Sequence, residues 1–298
     1  MFTQKKQILP LIIFAGLFII SGCVGKPPTP TVTPIPPTVT PLPPTPTSLP
    51  LAIKVNDGGI FISDYEEEMK RYDAAIALLG KTTTPEASKA NVVEDLTGSE
   101  LLYQAAIKGG FKLTDTDLQA HLAQLVQSTG GEAGFNTWLQ NNGYSLDSFK
   151  RKLTRDLGAA WERDEIIKAI PATAEQIHAR QIFFSREESA VAFRQKVDNG
   201  SDFAAMAAEV DPVTKGDLGW FPRGYLLQPE VEDAVFQLQV GQVSQVIKSS
   251  IGFHLVQVIE RDPARALDAD EIKAVETRAI SDWVSKAKTE AKIEILVP

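Results

Sequence analysis

The 298-residue sequence holds one cysteine, so no intramolecular disulfide can brace it. Its three histidines show no metal-ligand spacing, and no glycine-rich loop suited to phosphate is present. No metal and no cofactor is therefore expected. Positive charge is in deficit: the formal net charge is −8. An acidic chain is a poor ligand for phosphate backbones or anionic lipid, which argues against nucleic acid as a partner. Long apolar runs are missing too. Ile8–Ile20 is 13 residues and is broken by Pro10 and Gly16, short of the about 20 that a spanning helix needs. What is present is ordinary for folded protein, 43% hydrophobic and 23% charged residues, over a length suited to about two domains.

A lone cysteine in an exported chain needs a reason. Lys5 and Lys6 precede the apolar run, and Ile20-Ser21-Gly22-Cys23 follows it. A basic start, a short apolar core and small residues before the break are the marks of a signal peptide. The last four residues resemble a lipobox. That resemblance implies a signal peptide over residues 1–22 and lipidation of Cys23, with the mature protein held at the extracytoplasmic face of the cell membrane by its lipid. The plainer alternative is a secretory signal with an incidental cysteine.

Eleven of the 19 prolines fall between Pro27 and Pro50. Proline fixes φ and lacks the N–H, so residues 23–50 read as a polyproline-II-like spacer. At about 3.1 Å per residue, its 24 proline-rich residues reach on the order of 70 Å.

Folded sequence is expected from Leu51. Ile53 and Val55 alternate with polar residues, Asn56-Asp57-Gly58-Gly59 reads as a turn, and Ile60 and Ile62 follow, a hairpin pattern. Ser63 with Glu66 reads as a capping box for a first helix. Helices are then expected over Glu86–Lys108, from Thr114 with Asp117 as its box partner, around Phe135 to Leu139, and from Ser145 onward. Pro171 closes this helical block, residues 51–170. The period then turns mixed over residues 171–263. Strands are expected at Ile177–Phe184, Asp217–Phe221, Val243–Ser249 and Phe253–Glu260, with helices at Glu187–Asn199, Asp202–Val210 and Glu230–Leu238. Beyond Pro263, residues 264–298 read as a long helix from Asp268, then a strand in which Ile293, Ile295 and Val297 alternate.

Six pieces of the mixed block stand in one order: His178-Ala179-Arg180-Gln181-Ile182, Asp202-Phe203-Ala204, Gly216 to Gly224, Glu232 to Phe236, Gly241 to Ser244, and Gly252 to Val256. Together they resemble the parvulin family of peptidyl-prolyl cis/trans isomerases over essentially its whole length. The helical block is similar to the N-terminal domain of SurA-like and PrsA-like envelope chaperones. This rests on Ile53 to Asn56, on Leu101 to Ala106 leading to Gly110-Phe111, and on Gly143-Tyr144-Ser145. The implied fold class is α+β: a helical chaperone domain completed by the C-terminal helix and strand, with an inserted βα3βαβ2 parvulin domain on a four-stranded antiparallel sheet. The implied partners are unfolded or newly exported polypeptides with X–Pro bonds.

Rotation about an X–Pro bond is slow because amide resonance sets a barrier of about 18–20 kcal/mol. A catalyst need only favour the twisted amide, so neither nucleophile nor cofactor is required. The resemblance implies His178 and His254 as an imidazole pair on adjacent strands, with Asp211 (Glu209 as its rival) near the rotating bond. It implies Leu218, Phe221 and Leu226 (or Leu227) around the proline ring, and Ser249 beside the second histidine. Val231 falls where the family usually has phenylalanine, an exchange that implies modest activity. The alternative function is a non-catalytic holdase whose parvulin-like fold cradles unfolded chain. A transporter's substrate-binding lipoprotein is disfavoured, because such proteins need two larger α/β lobes.

Overall fold

The computed structural model describes residues 49–297. The expected signal run, Cys23 and nearly all of the proline spacer lie outside the described residues. Strands β1 (Leu51–Val55) and β2 (Gly58–Phe61) form an antiparallel hairpin. Its turn holds Asn56 at φ 52°, a conformation that asparagine tolerates better than most residues. The helices α1 (Ile62–Leu78), α2 (Pro85–Gly109), α3 (Asp115–Ser128), α4 (Glu132–Asn141) and α5 (Leu146–Lys168) follow. Thr114 and Asp117 make the expected capping box of α3, and Ser145 caps α5 by pairing with Ser148. Ser63 does not cap α1. The strand β2 runs straight into the helix, which begins at Ile62 with Phe61 as an N-cap that makes no side-chain bond. Position 63 is already helical, so its hydroxyl turns to Asp64 instead.

The second unit comprises β3 (Thr173–Phe184), α6 (Glu187–Asp198), α7 (Phe203–Val210), β4 (Asp217–Pro222), α8 (Pro229–Gln237), β5 (Ile247–Lys248) and β6 (Phe253–Ala266). The sheet is antiparallel in the order β4-β3-β6-β5. Between β3 and β4 stand two helices, and hydrogen-bonded turns over residues 212–216 take the place of a third; that stretch is too short for more. The expected strand Val243–Ser249 narrows to β5, preceded by a single bridge from Val243 to Gln257. Pro263 does not end β6. It falls where the β3 register shifts between Ala174 and Gln176, at a site where no ladder donor is lost.

After β6 come α9 (Ala269–Glu290) and β7 (Ile293–Ile295). The strand β7 pairs antiparallel with β1, Ile53 opposite Ile295 and Val55 opposite Ile293, giving a sheet in the order β2-β1-β7. One face of α9 presents Trp283 and Ala287, and the residue after the helix, Ala291, joins them against the core of Ala52, Ile53, Val55, Ile60, Tyr65, Val92 and Leu101. Gly98 on α2 lets Val284 approach; a Cβ there would sit 3.3 Å from it. The helical unit is thus built from both sides of the inserted sheet domain in sequence.

Beneath that core runs a polar seam. Arg155 Nε donates to Glu100 Oε2 at 3.1 Å, with both side chains buried. Gln104 donates to Glu100 at 2.8 Å and to the Val55 carbonyl at 2.9 Å, tying α2 to β1. Burial raises the Glu100 carboxyl above its ordinary range, against the opposing pull of Gln104 and Arg155.

Truncation after Leu267 removes α9 and β7, leaving β1 with an open edge and the first core uncovered. The melting temperature of the helical unit is expected to fall by about 10 °C or more, read by circular dichroism. An unchanged melting temperature would show that this unit is complete without them.

Candidate active site

The faces of β3 decide the site. From Gln176 to Phe184 every residue of this strand is paired and the extra residues at the two register shifts fall on its partners, Ile259 of β6 and Leu218 of β4, so the side chains of β3 keep their alternation. Ile177 and Ala179 enter a core with Phe221, Val231, Val235, Val256 and Val258, under α8. Ile182 and Phe184 enter another with Phe203, Leu255 and Phe193, under α6 and α7. Gln181 and Phe183 therefore belong to the α8 face, and His178 and Arg180 to the opposite one.

On β6, His254 lies on the α8 face two residues before Val256. It is 1% exposed, stands opposite Phe183 in the ladder, and its ring centroid lies 5.3 Å from that of Phe183. Its Nε2 is 2.7 Å from Ser249 Oγ, while its buried Nδ1 meets no partner among the described residues. An orphaned N–H costs more than an orphaned lone pair. The network thus assigns the proton to Nε2, which donates to Ser249 Oγ; that oxygen also accepts from Ile251 N at 3.2 Å and turns its own proton to the Gly252 carbonyl at 3.4 Å. Burial holds the imidazole below its ordinary range, opposed by the Glu230 carboxylate in the first turn of α8. The ring is neutral and fixed.

The expected pairing of His178 with His254 does not occur. The two sit on opposite faces and five residues apart along β3, since His178 faces Glu260 and His254 faces Phe183, roughly 17 Å at ~3.3 Å per residue. An odd offset along a strand puts a side chain on the other face. His178 instead meets Asp217 through Nε2 at 2.8 Å and Glu260 through Nδ1 at 3.3 Å, beside the Trp220 ring. The residues that β3 does bring toward His254 are Gln181 and Phe183. Counting by twos from Ile177 and Ala179, which enter the core under α8, reaches both.

A β-bulge shapes the third wall. Ala179 pairs with Gly219 and Arg180 with Asp217, so Leu218 is the extra residue of β4. The bulge sends Asp217 to the His178 face and turns Leu218, with Phe221, toward the α8 face. Leu218, Gln181, Phe183, Asp211 and Thr214 line a cavity of about 250 Å³ where the loop before β4 meets the sheet. Gly216 closes it at φ 72°, its carbonyl accepting from Gln181 N at 2.8 Å; a Cβ there would lie 2.3 Å from the Gln181 carbonyl oxygen. Asp211 is committed to this loop. Its carboxylate accepts from the Thr214 hydroxyl and from the N–H groups of Thr214 and Val213, which hold it below the usual carboxylate range.

Leu226 is half-buried against the α8 core, whereas Leu227 is 89% exposed. Glu209 is exposed at the end of α7 and lines no part of this cavity. Phe221 and Val231 are almost wholly buried, at 0% and 1% exposure. They back the site from inside the core and do not line it, because β4 and α8 turn their apolar sides to each other.

Two outcomes follow from this geometry. Val231→Phe forces a ring into filled space and is expected to cost about 1–3 kcal/mol without raising kcat/KM, measured by denaturant unfolding and a proline assay. The depressed pKa of His254 has a definite sign: neutral burial stabilises fully above about 6.5 and is lost as pH falls. The melting temperature of the native chain is expected to drop more steeply from pH 7 to 5 than that of His254→Asn; parallel curves would contradict the neutral, buried assignment.

Comparison with known proteins agrees with this architecture. Residues 167–262 match the model of the PPIC-type PPIase domain, and residues 4–160 match that of the SurA-like N-terminal domain. The foldase protein PrsA of Geobacillus sp. (strain WCH70) is 28% identical over 257 residues, spanning 82% of this chain and 84% of that protein. PrsA of Caldanaerobacter subterraneus subsp. tengcongensis is 30% identical over 222 residues, 70% of this chain and 68% of that one. PrsA 4 of Bacillus cereus is 30% identical over 203 residues, 62% and 69% respectively. With a parvulin-type domain set into a SurA-like one, the chain belongs to the PrsA family of peptidyl-prolyl isomerase foldases.

Proposed function

We propose that this protein is a lipid-anchored foldase that speeds X–Pro isomerisation in polypeptides emerging outside the cytoplasm. The observation that carries the catalytic part is the neutral, buried His254–Ser249 pair beside Phe183, whose ring shares a cavity with Leu218. Phe183 is 45% exposed, and Leu218 and Leu226 are half-buried. The proline ring is held among Leu218, Phe183 and Leu226, with Phe221 and Val231 giving the wall its stiffness. His254 and Ser249 keep the carbonyl side of the substrate amide away from bulk water. A twisted amide has lost its resonance and its nitrogen is more basic, so a low-polarity site favours it over the planar, more polar ground state. No bond is made or broken, and a fixed neutral ring suits that task. Asp211 acts by shaping the loop behind Leu218.

The anchoring part rests on sequence. Cys23 is the sole cysteine and follows a short apolar run and small residues. A diacylglyceryl thioether at Cys23 with a further acyl chain on its amine holds firmly, where one chain binds reversibly. The proline spacer then carries the folded part away from the bilayer.

One observation favours a second reading. The site holds one imidazole where two were expected, which fits a holdase that grips chain without rotating it. A protease-coupled proline assay on the full chain separates the two. Isomerase activity is expected, reduced about tenfold in His254→Ala, a loss of about 1.4 kcal/mol; suppression of client aggregation without any isomerase activity would establish the holdase. Growth with a fatty-acid probe is expected to label the native protein and not Cys23→Ala. Equal labelling of both would rule out anchoring through that residue.

A further inference from the structure

Glu232 on α8 is 2% exposed and carries more bonds than an anionic core residue needs for packing. Its two carboxylate oxygens accept from Gly224 N, each at 2.8 Å, and Oε2 also accepts from Leu226 N at 3.2 Å. The turn that presents Leu226 is thus folded around this one side chain. Its counter-ion comes from outside the sheet domain. Arg278 Nη1 on α9 donates to Glu232 Oε1 at 3.0 Å and is itself held by Asp282 through Nε at 3.1 Å.

The turn also rests directly on α9. Gly224 stands at φ 92°, and a Cβ there would lie 2.8 Å from Arg278 Cβ and 3.1 Å from the Ala274 carbonyl oxygen. A second tie lies one end away, where Gln176 on β3 donates to Glu271 in the first turn of α9 at 3.2 Å. The same helix packs Trp283 and Ala287 into the helical core and pairs Lys288 with Glu94 on α2. One helix therefore has one face in the helical unit and its other face on the turn that carries Leu226.

We infer that Arg278 is a positioning residue for the isomerase site: through Glu232 it sets the Gly224–Leu226 turn, so that the helical unit governs how the catalytic unit holds the proline ring. A buried carboxylate that loses its cation stays charged only at a cost, and the N–H groups of Gly224 and Leu226 depend on that charge. The turn loosens when Arg278 is removed, and Leu226 leaves its place against the core. Because Leu226 touches the proline ring before and during rotation, the loss falls on binding, and KM rises more than kcat falls.

This inference rests on the placing of substrate against Leu226, and its test keeps the two apart. In the full chain, Arg278→Ala is expected to lower kcat/KM for an X–Pro tetrapeptide about three- to tenfold, mostly through KM. Arg278→Lys, which restores the charge, is expected to recover at least half of it. Chain labelled with ¹⁵N at glycine and leucine is expected to show the Gly224 and Leu226 amides displaced in Arg278→Ala. Unmoved amides, or an unchanged kcat/KM beside a lowered melting temperature, would overturn the inference and leave Arg278 a packing residue. Should Arg278→Ala fail to fold, Arg278→Gln carries the same comparison. A native chain with no isomerase activity would defeat the placing of substrate instead, and the amide shifts would still decide whether α9 sets the turn.

Discussion

The pairing of β7 with β1 is the constraint on which the rest depends. Two strands from opposite sides of the sheet domain in sequence share backbone bonds, Leu296 N donating to the Ala52 carbonyl and Asn56 N to the Lys292 carbonyl, each at 2.8 Å, so the helical unit cannot close its core until the inserted domain has brought α9 and β7 back. The hairpin of β1 and β2 by itself would be marginal in water. With β7 on its other edge, β1 becomes a central strand whose unpaired groups are covered. Asn56 reinforces the join from both sides, its side chain accepting from Lys292 N at 3.0 Å and donating to Gln104 at 3.0 Å. The insertion is therefore held at two anchored ends rather than hung on one flexible linker.

The same closure explains why a charged seam is tolerated below the sheet. Taking Arg155 and Glu100 out of water has a high cost, and their mutual attraction barely repays it unless other bonds complete the shell. Here Gln104 fills the second side of Glu100 and links it to the Val55 carbonyl, while Arg151 donates to Asp64 at 2.9 Å from the outer turn of α5. Such a seam adds little net stability, but it accepts one register of α2, α5 and β1 and penalises the others. A core of alternating Ile and Val would slide more easily.

Much of the fold was legible because its signals are local. Thr114 with Asp117, and Asp268 with Glu271, are capping boxes that need only a three-residue spacing. The alternation of Ile293 with Ile295 marked β7, and its partner β1 followed from the family resemblance. Site residues were harder, since they depend on which face a strand turns and how far along it they lie. His254 and Ser249 stand five residues apart across a tight turn and were found together. His178 was misplaced because the motif around Ala179-Arg180-Gln181 fits a strand in either phase, and only the ladder to Phe183 and His254 fixes which side faces α8. Leu218 lines the cavity before β4; the bulge that turns it there has no mark in composition. Glu232 was read only as the first residue of a family motif; its counter-ion, Arg278 on α9, lies more than 40 residues away, and no local spacing marks that pairing.

The separation of the two sheet faces has a chemical consequence. Charge is gathered on one side, where His178 sits between Asp217 and Glu260 and Arg265 lies over Trp220 at 4.6 Å. The other side keeps a neutral imidazole, a hydroxyl and apolar side chains. A site for proton transfer would need a group poised to titrate near neutral pH. His254 is instead pushed away from that range by burial, and its partner is a serine with no charge to stabilise an imidazolium. Had His178 stood beside it with Asp217, the site would have held a charged triad that favours ions over a twisted neutral amide. The alternation of β3 sends that cluster through the sheet, and the face that remains is neutral and of low polarity, the kind of setting that favours the less polar of two states of one molecule.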